Sequence, residues 1–371
     1  MKVVAIVAKY ARADGRREIG GVETYMSQLA RALRRSGEFL VYQPASEGFE
    51  HEFEDLTAVG HPVDGFRSLV DHVVRRVLGD GDVLLFSSEQ LGVASEWKRS
   101  VVIQHGIYWD LPVEYYSASP LARGLSGCYK LFDNWRNLRR IRSHRNVVCV
   151  DYAYSTWLRS ITNFRNSERR IWIVPNNAGA DFFEVGEPPR SGPVSILFAR
   201  RFMRFRGTRL FANVAARLRG EYEHVRFTLC GEGPDSEIMQ QILPPSRRVR
   251  YCRVDHNDMP ALLGEHHIVV VPSLGSEGTS LSAIEGLAAG RAVVASAVGG
   301  IPNIILDGFN GLLVPPGDEQ QLYIALRSLI ESPELRAQLG RASRDASRAQ
   351  LGFDAWASRW RSVIDQVTAD P

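Results

Sequence analysis

Short, continuous apolar runs alternate along the chain with amphipathic stretches. Such runs are typical of strands buried on both faces, as in parallel sheets flanked by helices. The runs in the first half are KVVAIVA, DVLLFSS, SVVIQHG, NVVCVD and RIWIVPN, and those in the second half are VSILFAR, VRFTLCG, VRYCRV, HHIVVVPS, RAVVASAV and GLLVPP. Two groups of strand–helix units predict an α/β protein with two Rossmann-like, doubly wound parallel sheets.

Helical spacing marks the segments between the runs and at the end of the chain. Val22, Met26, Leu29 and Leu33 share one helical face, and Gly37 suits the end of that helix. The last apolar positions also have helical spacing: Phe353, Trp356, Trp360, Val363 and Ile364. They predict a terminal helix.

The length and one loop predict how the chain divides. A chain of 371 residues is too long for one small core. The Pro- and Gly-rich loop at 184–193 joins the two groups of runs. We therefore expect an N-terminal domain over residues 1–172 and a C-terminal domain over 173–352, followed by the terminal helix over 353–371.

Composition narrows the classes of function. A net charge of +3 gives no reason to expect nucleic-acid binding. The 4 cysteines are widely spaced, and Cys149, Cys230 and Cys252 fall in or beside apolar runs, so we expect buried, reduced thiols. The N-terminal run has no cleavage-like tail, and no apolar stretch is long enough to span a bilayer. The expected location is the cytoplasm.

The stretch GSEGTSLSAIEG, at 275–286, predicts a ligand site. It follows a predicted strand, and a helix is expected to begin near Ser282. The backbone N–H groups of Gly278, Thr279, Ser280, Leu281 and Ser282 would then face an anion at the helix N-terminus. Glu277 and Glu285 flank this start, where they could accept hydrogen bonds from sugar and ribose hydroxyls. The alternative is an ordinary helix with acidic residues placed to suit its dipole.

Two further segments carry candidate binding residues. Arg201 and Arg206 follow a predicted strand, where guanidinium groups can contact phosphate oxygens. Gly20 and Gly21 precede the first helix and would let a backbone approach a ligand closely. A solvated basic loop and a simple turn are the respective alternatives.

An ordered series of motifs then indicates a family. The series is GGVET, VVIQHG, VPNNAG, ILFARRFMRFRG, CGEGP, VPSLGSEGTSLSAIEGLAAGRAVVAS and GGIPNIILDGFNGLLVPPGD. Together these motifs cover nearly the whole chain, which resembles the retaining glycosyltransferases of family 4. That resemblance implies the GT-B fold, in which two Rossmann-like domains face a central cleft and the C-terminal helix crosses back to the first domain.

The resemblance also implies roles for the candidate residues. Glu277 would contact hydroxyls of the donor sugar, and Glu285 would contact the ribose. The diphosphate would lie against Arg201, Arg206 and the backbone of residues 279–282, with Gly20 and Gly21 closing over it. His105, in VVIQHG, matches the histidine that approaches the donor sugar, although a lone histidine at a strand end is more often structural.

The chain departs from the family pattern at several positions. Arg206 replaces a usual lysine, and Arg200 stands where glycine is frequent. Thr279 and Ser280 replace a frequent aromatic residue and a glycine or proline. Further departures occur at Gly179, where an acidic residue is usual, and at Ala292, where proline is frequent. These departures leave the donor sugar and its base open.

The reaction implied is transfer of a sugar, with retention, from a nucleotide-diphosphate sugar to an acceptor hydroxyl. The setting would be polysaccharide, lipopolysaccharide or glycolipid assembly, without cofactor or metal. Asp80 and Asp82, in DGD, resemble a manganese-holding pair, but Asp-Gly is also common turn chemistry. The alternatives are a GT-B relative of another reaction type, such as a phosphorylase or sucrose-type synthase, and a catalytically silent nucleotide-sugar-binding subunit.

The segment 121–145 adds a potential partner. Apolar residues fall at helical spacing among 7 cations, with one acid, Asp133. A basic amphipathic helix can lie on an anionic membrane surface, which would place the protein peripherally at the inner face of the membrane. The alternative is a core-packed helix whose basic face is solvated.

Overall fold

The computed structural model describes residues 1–369 apart from 19, 94, 107–126, 129, 133–134, 137, 140–143, 162–168 and 276. Of the predicted basic segment 121–145, residues 121–126, 129, 133–134, 137 and 140–143 therefore lie outside the described residues. The described residues between 127 and 139 are helical.

An eight-stranded sheet is built from the first half of the chain, in the order β3-β4-β2-β1-β5-β6-β7-β8. Its strands are β1 (Lys2–Ile6), β2 (Glu38–Ala45), β3 (Phe49–Glu52), β4 (Thr57–Pro62), β5 (Val83–Phe86), β6 (Ser100–Gln104), β7 (Asn146–Cys149) and β8 (Arg170–Ile173). All neighbouring pairs are parallel except β3 with β4.

The strands β2, β3 and β4 are absent from the predicted apolar runs. β3 is the edge strand and β4 is its neighbour. Half-buried and exposed residues alternate along β3, and half-buried and buried residues alternate along most of β4. β2 begins at the exposed Glu38 and contains Pro44. A search for continuous apolar runs misses such strands because only strands covered on both faces need to be apolar throughout.

A six-stranded parallel sheet is built from the second half, in the order β11-β10-β9-β12-β13-β14. Its strands are β9 (Val194–Ala199), β10 (Val225–Cys230), β11 (Val249–Cys252), β12 (Ile268–Val271), β13 (Ala292–Ser296) and β14 (Leu312–Val314). Every one was predicted. The order is that of the Rossmann fold, and its direction reverses between β9 and β12.

Helices cover both sheets. They are α1 (Gly21–Leu33), α2 (Phe66–Arg76), α3 (Tyr152–Ile161), α4 (Ala180–Phe183), α5 (Thr208–Glu221), α6 (Ser236–Ile242), α7 (Met259–Gly264), α8 (Leu281–Ala288), α9 (Glu319–Glu331), α10 (Pro333–Leu351) and α11 (Phe353–Thr368). The two-sheet α/β fold is as predicted. None of the helices in the described part of the chain is long and apolar enough to cross a bilayer.

The terminal helix α11 packs on α1, next to the first sheet. Trp356 and Trp360 are fully buried there, and the Trp360 indole donates a 2.9 Å hydrogen bond to the Tyr25 hydroxyl. Because α10 and α11 are continuous except for Gly352, the chain returns from the second sheet to the first. Buried tryptophans of this size contribute strongly to stability.

Replacing Trp360 with Ala should lower the free energy of unfolding by about 3–5 kcal/mol, because it opens a large cavity and removes the partner of Tyr25. Urea denaturation followed by circular dichroism measures this change. Leu306→Ala is the control, since Leu306 is 65% exposed and should cost less than about 0.5 kcal/mol. Equal effects of the two substitutions would contradict the packing of α11.

Candidate active site

The candidate site lies where the order of the second sheet reverses. Arg200 and Arg201 directly follow β9, and Ser273 and Glu277 follow β12. In open α/β sheets, ligands bind in the crevice beyond the carboxyl ends of the strands at such a reversal. The loop that begins at His105 follows β6 of the first sheet. The carboxyl ends of the two sheets therefore face the same space.

A cavity of about 400 Å³ occupies that space. Its lining includes most of the predicted site residues: Gly21, His105, Arg201, Arg206, Glu277, Gly278, Thr279, Ser280, Leu281 and Ser282. The lining also contains residues that the sequence did not single out as site residues: Val22, Thr24, Tyr25, Gln28, Asn176, Asn177 and Arg200. Two predicted residues, Gly20 and Glu285, lie outside this lining.

The carboxylate of Glu277 is the centre of a buried polar network. Its Oε1 contacts the guanidinium groups of Arg200 and Arg206 and accepts a 2.5 Å hydrogen bond from the Ser273 hydroxyl. Burial by itself would raise the pKa of Glu277, but the charges of Arg200 and Arg206 outweigh it and hold the pKa below its usual range. Glu277 is therefore an ionised hydrogen-bond acceptor.

Arg200 is the main residue of this network that sequence reasoning missed. Its side chain is 5% exposed, and its guanidinium donates to Ser273 as well as to Glu277. Burial lowers the pKa of Arg200. The only signal in the sequence is the departure from a frequent glycine, and nothing in that departure indicates that the side chain turns toward Glu277.

Arg201 and Arg206 hold different positions at the start of the site. Arg206 ends a single 3-10 turn, Arg204–Arg206, and Gly207 follows with φ 76°, a conformation that favours glycine. A Cβ at Gly207 would lie 1.8 Å from the Pro272 carbonyl oxygen, so this turn needs glycine. Arg201 is exposed in the cavity lining and has no ion-pair partner among the described residues.

The helix start at α8 faces the cavity. Ser280 is its N-cap, and no side chain caps the first turn. The Ser282 hydroxyl donates a 2.9 Å bond to the Ala199 carbonyl and so ties the first turn to the end of β9. The free N–H groups of a helix N-terminus favour an anion, as the sequence indicated.

Thr279 connects the two halves of the chain. Its hydroxyl donates to the Val150 carbonyl at 3.1 Å and accepts from the Asn176 backbone N–H at 2.9 Å. The Asn176 side chain also donates to the Thr279 carbonyl at 2.7 Å. Asn177 donates to the Gln28 side chain at 2.9 Å. The Thr279 hydroxyl thus holds the loop that carries Glu277 against the segment after β8 and against the end of β7 in the first sheet.

His105 is held in one orientation. Its Nε2 lies 2.8 Å from the Ser87 carbonyl, which can only accept, so Nε2 carries the proton of the neutral ring and Nδ1 keeps a lone pair. The ring meets Tyr25 edge-on at 5.0 Å, and Tyr25 in turn contacts Trp360. Burial lowers the pKa of His105 to about 4, so the ring is uncharged at neutral pH.

Glu285 lies on α8, one turn beyond the cavity lining. Its Oε1 is 3.8 Å from His256 Nδ1. Burial, together with the charge of Asp181, raises the pKa of Glu285 to about 8. The two glutamates of the predicted motif are therefore in opposite electrostatic states, since Glu277 is paired with cations and Glu285 is not.

Comparison with known proteins places this site in a family. Residues 193–332, which carry most of the cavity's cations and Glu277, match the family model described as glycosyl transferases group 1. Residues 193–332 belong to the group 1 glycosyl transferases. The match includes the entire second sheet.

Curated relatives of the chain include a glycogen synthase of Mycobacterium tuberculosis, 30% identical over 47% of the chain and 41% of that protein. An MMP alpha-(1->4)-mannosyltransferase of Mycolicibacterium hassiacum is 29% identical over 72% of the chain and 63% of that protein. The chain thus spans less than two thirds of the length of both. A phosphatidyl-myo-inositol mannosyltransferase of Mycobacterium leprae is 22% identical over 94% of the chain and 91% of that protein.

Solved structures show the same fold over the full chain. A sucrose-phosphate synthase of Thermosynechococcus elongatus superposes with a TM-score of 0.76 at 19% identity, and covers 100% of both chains. The Anabaena protein HepE, in complex with UDP-glucose, superposes with a TM-score of 0.74 at 16% identity, covering 99% of this chain and 100% of its own. The fold of the chain is therefore GT-B.

The raised pKa of Glu285 predicts a pH dependence of stability. Between the ordinary pKa of a glutamate and about 8, the folded state holds a proton that the unfolded chain releases, so stability falls as pH rises through this window. Glu285→Gln removes this dependence, so the melting temperature of the variant should fall less between about pH 5 and pH 8 than that of the parent.

Differential scanning calorimetry across this pH range measures the difference. The matched control is Glu223→Gln, because Glu223 is an exposed glutamate in the second half of the chain. Parallel curves for the parent and Glu285→Gln would contradict the electrostatic state assigned to Glu285.

Proposed function

We propose that this protein is a metal-independent, retaining glycosyltransferase. It moves a sugar from a nucleotide-diphosphate sugar to an acceptor hydroxyl in polysaccharide, lipopolysaccharide or glycolipid assembly. The observation that carries the proposal is the cavity between the two sheets, where 3 arginines, a helix start and one ionised carboxylate face the same space. The named activities of the relatives agree with it.

The donor is recognised by groups of complementary charge. Arg201, Arg206 and the N–H groups at the start of α8 bind the diphosphate. Glu277 accepts hydrogen bonds from sugar hydroxyls. Glu285, one turn further along α8, accepts them from the ribose, and Gly20 and Gly21 close over the diphosphate from the first domain.

In the proposed reaction, the acceptor hydroxyl attacks the anomeric carbon from the face of the sugar on which the diphosphate departs. The bond between the anomeric carbon and the phosphate oxygen breaks, and its electron pair stays on the diphosphate. The acceptor oxygen bonds to the anomeric carbon, and its proton passes to the departing phosphate oxygen. Arg201, Arg206 and the helix start stabilise the charge that develops there.

A double displacement through a protein carboxylate fits this site less well. Such a mechanism needs a free carboxylate as nucleophile and a second carboxyl group as acid. Glu277 is engaged by two guanidinium groups and a hydroxyl, which makes it a poor nucleophile. His105 contacts the donor sugar in this proposal, and its unprotonated Nδ1 can accept a hydrogen bond there.

The acidic pair Asp80 and Asp82 supports the turn interpretation over a manganese site. Asp82 Oδ1 accepts from the Lys2 backbone N–H at 2.6 Å, and Oδ2 accepts from the Gly79 backbone N–H at 2.9 Å. Gly81 has φ 93°. Oδ2 of Asp82 thus stabilises the turn before β5, and Oδ1 binds the start of β1. The cations of the cleft take the role of a metal in the proposed reaction.

Replacing Arg201 with Ala should weaken nucleoside diphosphate binding and lower turnover about tenfold to a hundredfold, because it removes a charge-assisted contact worth about 1.5–3 kcal/mol. Binding is measured by calorimetry and turnover by release of nucleoside diphosphate from a panel of UDP- and GDP-sugars. The same assay with a chelator should show unchanged turnover.

The matched control is Arg217→Ala, since Arg217 lies on α5, pairs with Glu221 and is outside the cleft. Loss of turnover with chelator and its return with manganese would contradict metal independence. A parent that binds nucleotide sugars but never releases nucleoside diphosphate would instead be a silent binding subunit.

We also propose that the basic segment at 121–145 binds an anionic membrane surface, where lipid-linked acceptors are found. Phe132 and Trp135 are 56% and 54% exposed, and the Arg139 guanidinium lies 5.6 Å from the centroid of the Trp135 ring. Phe132, Trp135, Arg136 and Arg139 line one side of a surface cavity. Aromatic rings beside cations suit a lipid headgroup layer.

Reversing the charge at Arg136 and Arg139 should abolish binding to vesicles that contain anionic lipid, since each cation contributes about 1 kcal/mol near such a surface. Sedimentation at low and high salt measures it, and added salt should weaken binding by the parent. The control is Arg226→Glu with Arg247→Glu, the same charge change at exposed positions on β10 and in the turn before β11. Equal sedimentation of the parent with neutral and anionic vesicles would contradict the proposal.

A further inference from the structure

Arg206 has two competing roles, as an ion-pair partner of Glu277 and as a proposed contact of the donor diphosphate. Both Arg200 and Arg206 contact the same oxygen, Oε1, and the Ser273 hydroxyl donates to it as well. The proposed donor site also requires Arg206 for the diphosphate. One guanidinium therefore faces two anionic partners, one belonging to the protein and one to the ligand.

The two arginines differ in their freedom to move. The side chain of Arg200 is 5% exposed, and it is fixed by the hydrogen bonds that it donates to Ser273 and Glu277. The side chain of Arg206 is 29% exposed, lies over the Phe205 ring at 5.0 Å and lines the open cavity. Arg206 can therefore turn toward a ligand, whereas Arg200 is held in place.

The charges that line the cavity agree with a fixed Arg200 and an Arg206 that is free to bind a ligand. The described lining residues carry three guanidinium groups, from Arg200, Arg201 and Arg206, and one carboxylate, Glu277. His105 is uncharged at neutral pH. Once Arg200 is assigned to Glu277, two cations remain for a diphosphate diester, which carries one negative charge on each phosphate group.

We propose that Arg200 is the permanent counter-ion of Glu277 and that it allows Arg206 to exchange between Glu277 and the donor diphosphate. A buried carboxylate that loses its only cation is strongly unfavourable. With Arg200 in place, Glu277 stays paired when Arg206 leaves. Arg200 is thus a positioning residue that favours donor binding without touching the diphosphate. This inference rests on the proposed function.

The exchange also restricts which oxygen of Glu277 can meet the donor. In this chain, Oε1 of Glu277 is occupied by Arg200 and Ser273 even after Arg206 leaves, so Oε2 is the oxygen left to accept from the donor sugar. Arg200 therefore restricts how Glu277 contacts the sugar.

The test compares Arg200→Met, Arg200→Lys and the double variant Arg200→Met with Glu277→Gln. Methionine keeps the packing of the side-chain stem but leaves Arg206 as the only cation on Glu277. Arg200→Met should therefore bind nucleoside diphosphate about tenfold more weakly, because the ligand must break that last ion pair. Arg200→Lys should bind nearly as the parent does.

The double variant separates this role from a direct contact. Removing the carboxylate as well removes the competition for Arg206, so binding should return to near the parental affinity although turnover stays low. Arg200→Met should also take up a proton on binding, because Glu277 loses its last cation at that moment. The parent and the double variant should take up none at this site.

Isothermal titration calorimetry with UDP, GDP and ADP, in two buffers of different protonation enthalpy, measures affinity and proton uptake together. Thermal unfolding checks that each variant folds. The matched control is Arg209→Met, which removes a cation from the buried carboxylate of Asp235 outside the cleft and should leave nucleotide affinity unchanged.

Parental affinity in Arg200→Met would overturn the inference, as would weak binding in both Arg200→Met and the folded double variant. If Arg200→Met fails to fold, the double variant and Arg200→Lys decide: a folded double variant that binds poorly beside an Arg200→Lys variant that binds well overturns it. If the parent binds none of the nucleotides, the proposed function fails and the inference fails with it. Parental turnover together with parental affinity in Arg200→Met contradicts the inference but leaves the proposed function intact.

Discussion

A parallel sheet brings the carboxyl ends of its strands to one edge, and the candidate site depends on two such edges facing each other. The loops after β9 and β12 supply the arginines and Glu277, and the loop after β6 supplies His105. These residues are far apart in sequence and meet only because strand direction is uniform. The topological reversal between β9 and β12 opens the crevice that they line.

The buried carboxylate of Glu277 is the electrostatic centre of that crevice. A carboxylate can be ionised in such a place only if cations and hydrogen-bond donors surround it, and Arg200, Arg206 and Ser273 do so. Glu285, one helical turn away from the lining, has no comparable cation, and burial raises its pKa. Two glutamates of one short motif thus differ in charge state because their surroundings differ.

The C-terminal helix connects this site to the stability of the whole chain. Trp360 on α11 donates to Tyr25 on α1, and the Tyr25 ring meets His105 edge-on. The contacts between Thr279 and Asn176 join the loop that carries Glu277 to the segment that follows β8. The cleft is therefore bounded by contacts between residues from both halves, which fix the orientation of His105 and of the loop that carries Glu277.

The sequence by itself determined the α/β class, the strands covered on both faces and the motif at 275–286, because continuous apolar runs and a glycine- and serine-rich helix start are local signals. It did not determine β3 and β4, since neither strand is apolar throughout and so neither gives a continuous run. Only the tertiary structure showed that Arg200 pairs with Glu277 and that Thr279 bonds to Val150 of the first half. Those contacts span 77 and 129 positions of the chain, and no local pattern records which distant side chains a fold brings together.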